Sequence, residues 1–357
     1  MLNVLQVAYP FAPVSRDTTG GAEQILSLLD RALVRRGHRS ITIACSGSQT
    51  EGELVPIHVP PTFDEASRTP AYEALRSRIT QTLAHRAVDL IHMHGVDFHE
   101  YLPPAGVPVL VTLHLPISYY PNSIFHLSRP DTYLNCVSES QLRTCPPCES
   151  LLGTVENGIP LDLFPERQPA RRDYTLAMGR ICPEKGFHLA LQAAKQAGVP
   201  LWIAGKVYPY AQHEQYFRQE LLPHLSPPHR YLGPVGFKRK VRLLARARCL
   251  LLSSLVPETS SLVAMEAMAC GTPVVGFPSG VASGIVDPGR TGFIVQSVNE
   301  MAAAIAHAGE IDANACRKEA RKRFSAERMA DRYLEWYARL AGERSSPAMS
   351  RGGAPAR

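Results

Sequence analysis

The sequence predicts an α/β protein made of two doubly wound parallel-sheet domains facing each other across a cleft. Three observations carry this. A chain of 357 residues is long for one hydrophobic core, so two domains are expected. Apolar strand-like runs alternate with helical patterns, and the rhythm restarts midway along the chain. Runs such as "VDLIHMH" and "VPVLVTLH" are nearly continuously apolar, as strands buried on both faces are.

In the first half, "NVLQVAY" reads as a strand and "GGAEQILSLLDRALVRRGH" as an amphipathic helix with Ile25, Leu28, Leu29, Ala32 and Leu33 on one face. "SITIACS" and "LVPIHVP" are strands, and "AYEALRSRITQTLAHR" is a helix. The two apolar runs quoted above follow as strands, and "TYLNCVSES" and "GTVENGI" complete the half. The second half begins with the strand "YTLAMGR", the helix "GFHLALQAAKQAG", the strand "PLWIAGK" and the helix "HEQYFRQELLPHL". It continues with "RYLGPVG", the helix "KRKVRLLARA", the strand "RCLLLSS", the stretch "PETSSLVAMEAMACG", the strand "TPVVGFP" and "GFIV". Between the halves, "PLDLFPERQPARRD" (160–173) is rich in proline and charge and lacks periodicity, so it reads as the linker. The expected units are therefore a domain at 1–165, a second at 166–325, a final helix at 326–341 and a disordered, apolar-poor tail at 342–357.

The charge is uneven. Residues 1–165 hold 11 Arg and no Lys against 16 Asp+Glu, a net of 11 − 16 = −5. The remainder holds 27 Lys+Arg against 16, a net of +11. A basic second half suits an anionic ligand such as a nucleotide diphosphate, whereas the acidic first half argues against docking on an anionic membrane. No apolar run reaches the ~20 residues that span a bilayer, and "MLNVLQVAYP" has no basic leader region, so a cytoplasmic location is expected. Of the eight cysteines, Cys145-Pro-Pro-Cys148 alone has motif spacing, and no second ligand pair completes a zinc set.

Ligands of such folds bind beyond the carboxyl ends of the strands, at the interdomain cleft. Gly20-Gly21-Ala22-Glu23 opens a helix after the first strand, where free N–H groups favour an anion; a plain turn is the alternative. No GxGxxG is present, which disfavours a dehydrogenase-type dinucleotide fold. His114 ends a predicted strand, and His92, His94 and His99 crowd the neighbouring one. Their spacing fits polar substrate contacts better than a metal. Arg180 and Lys185 in "GRICPEKG" fall where a strand passes into a helix, and both could hold phosphate. In "PETSSLVAMEAMACG" the helix is expected from Leu262 to Ala269, with Ser260 or Ser261 as N-cap. Leu262 and Val263 would then offer backbone N–H groups to a phosphate. Glu258 and Glu266, seven residues apart, flank that helix start, where pure acceptors suit sugar hydroxyls; solvated helix carboxylates are the ordinary alternative.

The last stretch closely resembles the E-x7-E motif of retaining family 4 glycosyltransferases, which have the GT-B fold of two Rossmann-like domains. "GGAE", "VTLH", "CVSES", "ENGIPLDLF", "GRICPEKG" and "GRTGFIV" are similar to that family's successive signatures, and the likeness spans about residues 1–340. The resemblance implies a nucleotide-sugar donor bound by the second domain. Arg180 and Lys185 would neutralise its diphosphate, and the Leu262 and Val263 N–H groups would bind it beside Ser261. Glu266 would hold the ribose and Glu258 the transferred sugar. Gly20 and Gly21 would close on the phosphates from the first domain, and His114 would contact the sugar near the reacting carbon. The final helix would cross back to the first domain. No metal or cofactor is implied beyond the nucleotide-sugar co-substrate, with UDP-hexose the first choice and GDP-mannose open. The acceptor would be a glycan, glycoconjugate or small molecule, met by N-terminal residues such as His94, Phe98, Tyr119 and Tyr120. Neither nucleic acid nor a membrane is indicated as a partner. A GT-B nucleotide-sugar epimerase and a silent nucleotide-sugar-binding protein are the rival readings. Two departures stand out: Ser260-Ser261 where Phe-Gly is common, and Gly284 where glutamate is common.

Overall fold

The computed structural model describes residues 1–18, 20–59, 65–166, 173–279 and 282–343. Residues 167–172 of the expected linker, and 344–357 of the tail expected to be disordered, lie outside the described residues.

The first half comprises β1 (Asn3–Val7), α1 (Gly21–Arg35), β2 (Arg39–Cys45), β3 (Glu53–Ile57), α2 (Glu65–His85), β4 (Leu90–Met93), β5 (Val109–Leu113), β6 (Thr132–Cys136), α3 (Glu139–Leu142) and β7 (Leu151–Thr154). Its strands form one parallel sheet in the order β3-β2-β1-β4-β5-β6-β7. β1, β4 and β5 are buried along nearly their whole length, as their unbroken apolar runs require. α2 begins at Glu65 rather than Ala71 and includes Pro70. That proline forgoes a bond to the carbonyl of residue 66, one position inside the helix, so little of the ladder is lost.

The second half comprises β8 (Thr175–Met178), α4 (Phe187–Gln196), β9 (Leu201–Ala204), α5 (Ala211–Tyr216), β10 (Arg230–Tyr231), α6 (Phe237–Arg246), β11 (Leu250–Leu252), α7 (Leu262–Ala269), β12 (Val274–Gly276), α8 (Ala282–Ile285), β13 (Gly292–Ile294), α9 (Val298–His307), α10 (Ala313–Arg323) and α11 (Ala326–Glu343). Its parallel sheet runs β10-β9-β8-β11-β12-β13. The helix expected over "HEQYFRQELLPHL" keeps its α geometry only to Tyr216, then loosens into a π-helical turn at Phe217–Leu221 and a tight turn at Leu222–His224. Pro223 has no N–H to continue the α ladder.

In both sheets the order reverses beside the first strand, which leaves a crevice at the carboxyl ends of β1 and β8. Two chain crossings join the halves side by side. Ile159 N–H donates to the Phe324 carbonyl at 2.8 Å, and Ala326 N–H donates to the Ile159 carbonyl at 3.0 Å. A side chain at Gly158 would sit 2.5 Å from the Ser325 carbonyl oxygen, so glycine permits this approach. α11 then packs its Met329, Ala330, Tyr333, Tyr337 and Leu340 into one core with Val4, Ile25, Leu29 and Leu33 of the first half.

The CPPC motif does not act as a pair. Cys145 Sγ lies 3.4 Å from Cys136 Sγ, while Cys148 donates to the Phe125 carbonyl.

Candidate active site

α7 runs from Leu262 to Ala269 as the sequence predicts, and Gly271 ends it in a left-handed conformation (φ +80°). Ser261 occupies the N-cap position, but its hydroxyl makes no capping bond. This corrects the expected cap. The hydroxyls of both Ser260 and Ser261 are buried and without partners. The Ser261 carbonyl accepts from Ala264 and Met265 N–H at 3.1 and 3.2 Å, so the Leu262 and Val263 N–H groups lie ahead of the helical ladder. Such a helix start is a natural anion site.

Two lysine–carboxylate pairs flank it. Lys185 Nζ lies 2.8 Å from Glu258 Oε1, and the Ser254 hydroxyl also donates to that oxygen. Glu258 keeps 8% of its side chain exposed and Lys185 25%, so the pair borders solvent on one side. Glu266, with 3% exposed, meets Lys240 Nζ at 2.5 Å. Burial raises the Glu266 carboxyl above its ordinary range, and Lys240 counters this. Lys240 was not singled out from the sequence. A signal existed: Phe237, Lys240, Val241 and Leu244 recur at the spacing of one helix face, so Lys240 shares the inward stripe of α6.

The first half closes on this start. Thr259 donates to the His114 carbonyl at 2.7 Å, and Phe237 N–H donates to Asp17 at 2.9 Å. A Cβ on Gly21 would touch Leu262 at 3.7 Å, so the start of α1 and the start of α7 face each other closely. Gly20 precedes α1, and a side chain there would strike the Glu23 carboxylate folded over it. Glu23 is itself buried, which raises its carboxyl; the field of Arg180 from the other half opposes this. Arg180 is exposed beside that junction.

Not every predicted residue reaches the cleft. Phe98 is fully buried in the first-half core, so it cannot stack on a ligand. Tyr120 is buried in the same core, and its hydroxyl accepts from Leu115 N–H. His94 is 3% exposed, and its Nδ1 lies 3.0 Å from His114 Nε2, so it supports His114 instead of meeting an acceptor. His94 directly follows β4, Phe98 opens a 3-10 turn (Phe98–Tyr101) and Tyr120 follows another (Ile117–Tyr119); each side chain is buried, which sequence spacing alone does not reveal. Tyr119, at 54% exposure, stays accessible. His92 is bonded to Tyr337 at 2.6 Å and Thr112 at 2.7 Å, so it ties α11 to the sheet. Burial pulls His114 down to about 3 and holds His92 and His94 well below the ordinary imidazole range. His114 is therefore a neutral hydrogen-bonding group near neutral pH. At Gly284 an added side chain would meet nothing within 4 Å, so the glycine is not sterically required.

One cluster was missed altogether. Among the described residues, ligand atoms of Cys182, Glu184 and His213 lie within 4.8 Å of one another. Burial, then Arg180, lower the basicity of His213, which keeps its ring neutral.

Comparison with known proteins decides the family. Residues 160–325 match the family model "Glycosyl transferases group 1", and residues 19–142 match "Glycosyltransferase Family 4". The chain belongs to the family 4, group 1 glycosyltransferases. The D-inositol 3-phosphate glycosyltransferase of Mycobacterium bovis (strain BCG / Pasteur 1173P2) is 31% identical to this family 4 chain over 225 residues, 57% of this chain and 46% of that protein. This chain spans about half the length of the curated relatives it matches. Among solved structures, the sucrose-phosphate synthase of Thermosynechococcus elongatus superposes with a TM-score of 0.79 at 18% identity, covering 96% of this chain and 100% of that one. Anabaena HepE, solved with UDP and glucose, gives 0.72 at 18%, covering 95% and 100%. The fold is GT-B. Among the described residues, no helix is long and apolar enough to cross a membrane.

Proposed function

We propose that this family 4 chain transfers a hexose from a nucleotide-diphospho-sugar, UDP-hexose first, to a hydroxyl acceptor with retention of configuration. The observation that carries it is the paired arrangement at α7. The start of α7, with the Leu262 and Val263 N–H groups ahead of its ladder, lies between the Lys185–Glu258 and Lys240–Glu266 pairs, with Gly21 and the His114 segment against it. Similar proteins support the class: one is a D-inositol 3-phosphate glycosyltransferase, and a structural neighbour was solved with UDP and glucose.

In this reading the diphosphate rests on the N–H groups of Leu262 and Val263, with the Ser260 and Ser261 hydroxyls and Arg180 beside it. Glu266, oriented by Lys240, accepts from the ribose hydroxyls. Glu258 accepts from hydroxyls of the transferred sugar, and Lys185 meets the phosphate charge. As the glycosidic bond breaks, negative charge grows on the departing diphosphate. Fixed donors and cations stabilise that charge more in the transition state than in the ground state. His114, neutral, hydrogen-bonds the sugar. No carboxylate is assigned as a covalent nucleophile, and the nucleotide-sugar is a co-substrate with no further cofactor assigned to the transfer. The acceptor is a glycan, glycoconjugate or small molecule, and the protein works in the cytoplasm without nucleic acid as a partner and with membrane association left open.

The test is incubation with UDP-hexoses and GDP-mannose plus acceptor sugars and polyols, followed by NMR of the anomeric carbon. A product with the donor's anomeric configuration supports the reading. An inverted product overturns retention. An epimerised donor, or binding without turnover, overturns transfer itself.

A further inference from the structure

We infer that Cys182, Glu184 and His213 form a binding site for one zinc-like divalent ion, beside the donor groups but outside them. The inference stands on ligand chemistry and geometry, and it does not require the transfer reading to hold. The three ligand atoms lie within 4.8 Å of one another. A tetrahedral ion with Zn–S of about 2.3 Å and Zn–N of about 2.1 Å needs ligand atoms about 3.6 Å apart. The cluster therefore needs to tighten by roughly 1 Å, within reach of side-chain rotation.

The surroundings favour an ion over a plain hydrogen bond. His213 is 8% exposed, and its Nδ1 is buried without a hydrogen-bond partner. A buried imidazole nitrogen left unbonded carries a desolvation cost that a metal would remove. Cys182, 2% exposed, makes a long contact to the Arg180 carbonyl at 3.7 Å, and its thiol also donates to Glu184. Binding would replace the thiol proton with the ion and release that proton to solvent. Glu184 is only partly buried, which leaves an entry path and room for water as the fourth ligand. A sulfur, a nitrogen and one carboxylate oxygen select zinc-like ions over magnesium or calcium, which prefer oxygen sets. The nearby Arg180 opposes a cation, while the thiolate and carboxylate offset its charge.

The location gives the ion a consequence. Cys182 and Glu184 sit between Arg180 and Lys185, and His213 belongs to α5. An ion would clamp that loop to α5 and fix the two cations that flank the helix start.

The experiment is a titration of the full, metal-stripped chain with zinc against a chromophoric chelator, alongside thermal melting. One ion per chain is expected, with a rise in melting temperature by mass action. Cys182→Ser and His213→Ala should each weaken binding by at least the roughly tenfold that loss of an outer-shell partner causes. The Cys145→Ser, Cys148→Ser double variant should bind as the parent does. Circular dichroism of each variant shows whether it folds. Cobalt offers a second readout, because thiolate ligation gives an absorption band that Cys182→Ser should abolish. No binding, binding unchanged in folded Cys182→Ser and His213→Ala, or binding lost with Cys145 and Cys148 would each overturn the site.

Discussion

Glu266 lies in an apolar helix between Met265 and Ala267, 2% exposed, and its charge is met by Lys240. Removing the lysine leaves a buried carboxylate uncompensated, at a cost of about 3–5 kcal/mol. Lys240→Ala should therefore lower unfolding free energy by about that amount in urea denaturation near neutral pH. The pH dependence has a definite sign. The folded carboxyl is held above its unfolded value, so the folded state binds the proton more tightly. The variant, with that rise enlarged, should be most stable in acid and lose stability as pH climbs through the raised value. Equal denaturation midpoints at about pH 5 and about pH 8 would count against it. The proposed function assigns Lys185 and Glu258, whose pair borders solvent, to catalysis. Lys185→Ala and Glu258→Ala should each reduce kcat by about 10²–10³, the usual loss when one transition-state stabiliser is removed. Steady-state rates checked against unchanged circular dichroism would show this; full activity in both variants sinks the assignment.

α7 is bounded at both ends: its start is the proposed phosphate site, and its end is closed by Gly271. Thr272 N–H reaches back to the Ala267 carbonyl at 2.8 Å, a closure that needs the left-handed residue between them. A Cβ at Gly271 would also press on Arg317. Gly271→Ala should cost at least the ~1–2 kcal/mol of a left-handed L-residue, read as a shift in denaturation midpoint. The contact between α1 and α7 is graded. Gly21→Ala places its methyl in ordinary contact with Leu262 and should leave activity near the parent's. Gly21→Leu should push the two helix starts apart and raise KM for the donor while melting temperature holds. An unchanged KM in Gly21→Leu would show that this contact does not shape the donor site.

The whole molecule is held together by α11, which begins in the second half and spends its apolar face in the first. His92, Thr112, Asn135, Tyr333 and Tyr337 form a buried hydrogen-bonded network across that joint. The histidines beside it are buried neutral. Their folded pKa values lie below the ordinary 6.5, down to about 3 for His114. Their contribution to stability is therefore present above about pH 6.5 and lost as pH falls from there toward 3. Denaturation midpoints should decline over that window, and His92→Gln should flatten the decline. The charge asymmetry acts at the same scale. With +11 on the second half, donor KM should rise with salt as screening weakens attraction for the diphosphate; a salt-independent KM would leave the asymmetry without that role.

The order of strands and helices, the E-x7-E spacing and the bounds of α7 were legible in the sequence, because each depends on local periodicity or on one breaking residue such as Gly271; the early start of α2 and the break after Tyr216 were not. The sequence also determined that Arg180, Lys185, Glu258 and the Leu262 turn belong at strand ends. Which candidate side chains face the cleft depends on packing between segments far apart in the sequence. Phe98 and Tyr120, in the short turns after β4 and β5, and His94, directly after β4, are buried, because contacts with residues distant in the sequence set that choice. Lys240 and the Cys182–Glu184–His213 cluster were likewise decided by the fold. Their partners lie 26 residues away for Lys240 and 29 or more for His213, distances that no local pattern spans.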